Sequence, residues 1–224
     1  MTETRRFASG WEARSCADRR SHALTIHLEI LSALAVFAFV ASITPGPNNL
    51  MLMTSGVKFG FARTVPHLAG VILGFALMVA LLGLGLNIVF QRFPAVLPGM
   101  RIVGSLYMIW LALKIALAKP ARAIESAGRP IGFVSAAAFQ WVNPKAWVMA
   151  LSALSTYAGL ADDYFRSVLL ITALCATITV PCSSAWALFG SSLRRFLANP
   201  RVTRAFNLTM AALLVASIVP ILFE

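Results

Sequence analysis

The chain has 224 residues, of which 59% are hydrophobic and only 12% charged, and its mean hydropathy is +0.80. A soluble domain is nearer half apolar and a quarter charged, so this composition excludes one and predicts an all-α, polytopic integral membrane protein. The net charge of +11 does not call for nucleic acid, because the Lys and Arg residues lie between apolar stretches, where they set membrane orientation.

Residues 1–28 form a polar tail carrying Arg5, Arg6, Arg14, Arg19 and Arg20. No apolar h-region with a small-residue cleavage site follows promptly, so a cleaved signal peptide is not expected. With no apolar period the tail predicts no stable fold, and a start codon assigned too early is a second reading of it. From residue 29 to 224 six apolar segments follow. The first, 30–57, has no charged residue but contains Ser42-Ile43-Thr44-Pro45-Gly46-Pro47-Asn48-Asn49. Proline lacks an N–H and clashes with the preceding turn, so Pro-Gly-Pro breaks this helix. Broken backbone survives in hydrocarbon only where protein or a watery cavity covers it, which points to a transport site rather than an anchor. A plain proline kink is the bland alternative.

The second segment, 68–91, carries Gly70 and Gly74 as a small-xxx-small face for close helix packing. The third, 102–118, is short and includes Tyr107, assigned to helix packing, and Lys114, which can snorkel. The fourth, 131–161, is interrupted by Asn143-Pro144-Lys145; the fifth is 167–193, with Pro181 inside it, and the sixth is 205–223. Trp110, Trp141, Trp147 and Trp186 fit either interfacial belts or packing. Of the three cysteines, Cys16, Cys175 and Cys182, none has metal-ligand spacing; Cys175 and Cys182 share a helical face and read as packing residues.

The halves echo one another at an offset of about a hundred residues. Pro45 and Pro144 each interrupt the first long segment of a set of three, and Arg101 and Arg204 each introduce the third. This predicts a 3+3 repeat, residues 30–118 and 131–223, with helices one and four broken. An odd number of spans per copy inverts the second. Matching loops carry opposite bias, Lys58 and Arg63 after span one against Asp162 and Asp163 after span four. The basic loops after spans one, three and five, including Lys119, Arg122 and Arg129, place both termini outside, whereas the arginines of the tail argue the reverse.

Asn143-Pro144 is a helix-start signature, asparagine as N-cap and proline at the first helical position, and Thr44-Pro45 or Gly46-Pro47 can serve likewise. Each break then presents the free amides and positive dipole end of a half-helix. Two such ends brought together make a pocket for a carboxylate. Asn48, Asn49 and Asn143 add polar atoms for an amino group, so the expected substrate is a small zwitterion such as an amino acid. Lys145 either faces this pocket, as a second carboxylate anchor or coupling residue, or snorkels to an interface. His67 either titrates or packs with a hydrogen bond, and Met51 and Met53 read as packing residues. No Asp or Glu lies within a span, and no Walker, HExxH or Ser/His/Asp pattern occurs. An ATP-driven pump, a metal site and a cofactor are therefore not expected. An integral-membrane enzyme or accessory subunit is the alternative, and it lacks a catalytic cluster. A non-transporting interaction protein has no reason to break two helices at matching depths.

At these residues the chain resembles the lysine-exporter (LysE/RhtB) family of bacterial amino-acid exporters. Thr44-Pro45-Gly46-Pro47-Asn48, Gly70 with Gly74, Gly104-Ser105-Leu106-Tyr107 and Asn143-Pro144-Lys145-Ala146 carry the likeness, with matching spacing from about residue 31 to 222. The resemblance implies a multi-pass inner-membrane secondary exporter that draws on the proton gradient and assembles as an oligomer, a homodimer foremost. Two departures stand out: Phe75 where many relatives place an acid, and Ser155-Thr156-Tyr157 in place of Pro-Gln-Phe. Loss of the acid speaks against basic substrates and removes a proton-coupling group. A neutral amino acid of the homoserine, threonine or leucine kind is the expected cargo.

Overall fold

The computed structural model describes residues 28–86, 92, 96–117, 129–157, 161, 163–193 and 199–216. The arginine-rich tail before residue 28, Cys16, the loop charges Lys119, Arg122, Asp162, Arg194 and Arg195, and the ends of several predicted spans lie outside the described residues. Among the described residues there is no strand; the elements are α1 (Leu28–Ile43), α2 (Pro47–Phe59), α3 (Phe61–Leu81), α4 (Val96–Ala116), α5 (Phe133–Phe139), α6 (Pro144–Tyr157), α7 (Tyr164–Leu193) and α8 (Pro200–Ala216). A π turn, Leu82–Leu86, extends α3, and a 3-10 turn, Gln140–Val142, follows α5.

Helices α3 and α7 are each long and apolar enough to cross a membrane. The pair α1 and α2, bent by 54° at its break, passes the same test as one span. The bend has a local cause. Pro45 and Pro47 supply no N–H, and Gly46 is extended (φ −169°, ψ 174°), so the ladder stops at Ile43 and restarts at Pro47. The Asn-Pro start signal recurs, so the last helix begins at Pro200, ahead of the predicted segment 205–223. Asn199-Pro200 opens α8 as Asn143-Pro144 opens α6, with Asn199 Oδ1 accepting the amide of Arg201 at 3.0 Å. At α7, Asp163 Oδ2 accepts the amide of Arg166 at 3.1 Å, an N-cap in a residue that sequence alone presents as a loop charge.

The side-chain pattern explains how these helices pack. On α3, Thr64, His67, Leu68, Val71, Phe75, Met78 and Val79 are buried, while Val65, Leu73, Leu77 and Leu81 are exposed. The buried set recurs at three- and four-residue steps, one face of a helix. The outward leucines, together with Leu169, Leu170, Leu188 and Phe189 on α7, form an apolar exterior larger than a soluble monomer shows and suited to lipid. One core joins α1, α3, α6 and α7 through Leu34, Met78, Trp147 and Ile171. A second joins α2, α4 and α8 through Leu50, Met108 and Leu214.

Small residues set the closest crossings. A Cβ on Gly74 would stand 2.5 Å from Ala137 Cα, and one on Gly70 would meet the carbonyl oxygen of Phe133. Likewise a Cβ on Gly56 would meet Ala187, and one on Gly190 would meet Met53, where α2 crosses α7. Tyr107 stacks its ring 5.4 Å from Trp110 and 5.4 Å from Phe139, joining α4 to the end of α5. Lys114 places Nζ 4.2 Å from the centre of the Trp110 ring. Gly60 sits at φ 78°, the left-handed side that favours glycine, and allows α3 to follow α2 without a longer loop.

Replacing Gly74 with leucine forces α3 away from α5, and overpacking of this kind costs about 1–3 kcal/mol or more. The thermal midpoint of the purified protein in detergent should fall with Gly74→Leu and hold with Gly99→Ala, where no atom lies within 4 Å of the added Cβ. Equal midpoints for the two variants would show that the crossing does not limit stability.

Candidate functional site

A helix that stops in an apolar setting leaves its last carbonyls without amide partners, each costing several kcal/mol in hydrocarbon. At the end of α1 other groups supply the donors. Thr44 Oγ1 donates to Ala41 O at 3.0 Å. Asn49 Nδ2 donates to Ser42 O at 2.7 Å and to Thr44 O at 2.9 Å. Trp186 Nε1, from α7, donates to Ile43 O at 3.0 Å. Lys145 Nζ, from α6, donates to Thr44 O and Thr44 Oγ1 at 2.8 Å each and to Pro45 O at 3.2 Å.

The two breaks are therefore in direct contact. Lys145 follows Pro144 and bonds the carbonyl of Pro45, a separation of 100 residues closed by one side chain. A second bridge runs beside it. Asn48 Nδ2 donates to Gln140 Oε1 at 2.8 Å, and Gln140 Nε2 donates back to Asn48 Oδ1 at 3.2 Å and to Ala136 O at 2.9 Å. Gln140 is fully buried. Sequence patterning does not single it out, although an uncharged amide three residues before Asn143 in an apolar run is a visible signal. Trp186, left open between belt and packing roles, serves as a helix cap.

The two half-helix starts differ. Gly46 is the N-cap of α2 and Pro47 its first residue, so Gly46-Pro47, not Thr44-Pro45, opens the helix. The first bond of α2 runs from Leu50 N to Gly46 O at 3.0 Å, which leaves the amides of Asn48 and Asn49 without an intrahelical acceptor. At α6 the expectation of free amides is corrected. Asn143 Oδ1 accepts Lys145 N at 3.2 Å, and Asn143 O accepts Ala146 N at 3.0 Å and Trp147 N at 3.3 Å. The asparagine that starts the helix also consumes its donors, so only α2 has amides to offer.

Between the breaks lies a cavity of about 40 Å³, room for roughly three waters at 10–15 Å³ each on the same measure. Asn48, Asn49, Asn143 and Lys145 line one side, with Gly46 and Pro47 beneath. Ser42, Thr179 and Ser183 line another, Ser42 and Thr179 sharing a hydrogen bond of 3.2 Å between hydroxyls. Val71, Phe75 and Met149 close the apolar wall, and no lining residue is acidic. Phe75, 4% exposed, occupies this wall. His67 stands apart from the cavity, its Nδ1 3.0 Å from Ser55 Oγ, which favours the packing role. Cys175 and Cys182 are buried on α7.

Lys145 explains Gly46. A Cβ there would lie 2.8 Å from Lys145 Cδ and 3.1 Å from Nζ, so the missing side chain is the channel through which the lysine passes. An extended φ suits any residue; space is what demands glycine. The magnitudes favour the clamp. A lysine in hydrocarbon costs about 2.5–3.5 kcal/mol on insertion scales. Hydrogen bonds to a charged group contribute roughly 1.5–3 kcal/mol each, so three acceptors offset it.

The Asn48–Gln140 bridge is separable from its halves. Gln140→Leu alone leaves the half-buried amide of Asn48 with its partner gone, a loss of about 1–3 kcal/mol. Adding Asn48→Leu should recover part of it, seen as a non-additive coupling of about 0.5–3 kcal/mol in unfolding midpoints. Strict additivity would show that the two amides do not act as a pair.

The family model described as LysE type translocator matches residues 39–219, across both breaks. The chain is 33% identical over 195 residues to the cysteine/O-acetylserine efflux protein of Salmonella typhimurium, covering 87% of this chain and 98% of that protein. It is 32% identical over 195 residues to the protein of the same name in Escherichia coli K12, with the same coverage. No solved structure matches the chain.

Proposed function

The chain belongs to the LysE-type translocator family, a membrane transport family rather than an enzyme family, and on that premise we propose that it exports small neutral amino acids. The observation that carries this reading is the cavity between the two broken helices. It offers donors for a carboxylate, acceptors for an amino group and a neutral lining for the rest.

The parts divide by chemistry. Thr44, Pro45, Gly46 and Pro47 form the break that frees the amides of Asn48 and Asn49. Those amides, at the positive end of α2, with the ammonium of Lys145, receive the carboxylate. The side-chain oxygens of Asn49 and Asn143 receive the amino group, and Pro144 sets Asn143 and Lys145 on the first turn of α6. Gly70, Gly74 and Tyr107 hold the surrounding helices in register. Ser42, Thr179 and Ser183 face the substrate's own side chain and suit a hydroxyl, thiol or ester. The absence of acid on the cavity wall disfavours a basic cargo. Efflux proteins similar to this chain are named for cysteine and O-acetylserine, both small and neutral, and we place these ahead of homoserine, threonine or leucine.

The architecture we propose is six spans in a 3+3 inverted repeat, residues 30–118 and 131–223, rocking about the paired breaks to give alternating access. The contacts from Thr44 and Pro45 to Lys145, and from Asn48 to Gln140, support it, since they join equivalent places in the two halves. The setting is the inner membrane of a bacterial cell, the driving force the proton gradient and the assembly a homodimer. Residues 1–28 stand outside the transport domain.

Counterflow in proteoliposomes tests this. The purified protein should exchange labelled O-acetylserine or serine, faster with a pH gradient than without, and should leave lysine behind. Pro45→Ala, Asn143→Ala and Lys145→Ala should each cut exchange at least about tenfold, equivalent to about 1.4 kcal/mol, at unchanged levels in the membrane. Full exchange by all three variants would remove the breaks from the transport path.

A further inference from the structure

We infer that Lys145 is an exchangeable latch: its ammonium holds the cavity shut by clamping the severed end of α1, and a substrate's carboxylate opens the cavity by taking that ammonium over. The inference rests on the exporter reading for the identity of the competing anion, and on geometry alone for the clamp.

Three observations lead to it. The first is position. Lys145 is the second residue of α6, where a cation opposes the dipole of its own helix. A lysine there is placed for something outside α6. In this structure that partner is the carboxyl end of α1, the negative end of another dipole.

The second is saturation. An ammonium has three N–H bonds, and three oxygens take them: Thr44 O, Thr44 Oγ1 and Pro45 O. A carboxylate can bind Lys145 only by displacing them. Displacement is cheap on the α1 side, because Thr44 O keeps its bond from Asn49 and Thr44 Oγ1 keeps its bond to Ala41 O, which leaves Pro45 O to give up its donor. On the lysine side the neutral acceptors are replaced by a charged one, which binds more strongly. Exchange therefore favours a molecule that carries a carboxylate and not one that lacks it.

The third is location. Thr44 is exposed, whereas Ser42, Asn49, Asn143 and Ser183 behind it are buried. The clamp thus lies at the rim, with the lysine stem across Gly46. The cavity behind has room for only a few waters, less than an amino acid needs. Admission of substrate requires α1 and α6 to part at this point, which is the bond Lys145 makes.

The test follows the rim rather than transport. A reporter thiol on the inner wall, Ser183→Cys, is introduced in the full-length protein, and its reaction with N-ethylmaleimide is timed in detergent with no amino acid present. The chain without the reporter corrects for native cysteines. Combined with Lys145→Met, the reporter should react roughly tenfold faster, as expected when a closed state loses its clamp. Gly46→Ala provides an independent arm, since its Cβ would stand 2.8 Å from Lys145 Cδ and displace the stem while keeping the charge. It should speed labelling in the same direction. Thermal midpoints identify any variant that has unfolded; if Lys145→Met is lost in that way, Gly46→Ala decides. Unchanged labelling in folded variants would overturn the latch. Faster labelling alongside a parent protein that shows no counterflow would overturn the exporter reading and leave the latch standing. Normal counterflow with unchanged labelling would do the opposite.

Discussion

The carbonyl oxygens at the cut end of α1 constrain most of what surrounds them. A helix interrupted by Pro45, Gly46 and Pro47 leaves acceptors from Ala41 to Pro45 that water would satisfy in a loop and hydrocarbon cannot. Donors arrive from three directions: Asn49 from the next half of the same span, Trp186 from α7 and Lys145 from α6. The bend is stable only when those elements are in place, so one local break recruits three helices. The cavity is what remains between the recruited parts.

The second break behaves otherwise. Asn143 accepts the first amides of α6 with its own side chain and carbonyl, so that turn is complete without help from elsewhere. Two halves that look equivalent along the chain are thus unequal in their dependence. Break one leans on its neighbours; break two is self-contained and lends its lysine. A transporter that rocks one half against the other needs a rigid side and an exchangeable side. On the proposed mechanism, the self-contained turn at Asn143 and Pro144 suits the rigid side and the α1 end the exchangeable one.

Neutral hydroxyls and an apolar wall that includes Phe75 meet a lysine and an open helix start. Among the described lining residues Lys145 carries the charge and none is acidic. A site of this kind discriminates through what it fails to pair: a basic side chain would enter without a counter-ion, which is costly away from water.

Much of this was legible along the chain because its causes are local. Composition marks an apolar exterior, and proline with asparagine marks where helices stop and start. Those features depend on neighbours a few residues away, so the breaks at Gly46-Pro47 and Asn143-Pro144 and the packing glycines 70 and 74 could be read before any coordinates. Only the tertiary structure decided who bonds to whom across a hundred residues. It gave Lys145 to Thr44 and Pro45, Gln140 to Asn48 and Trp186 to Ile43, and it showed the α6 amides already taken. A long side chain has many acceptors within its reach, and which one it finds depends on how helices distant in sequence pack together.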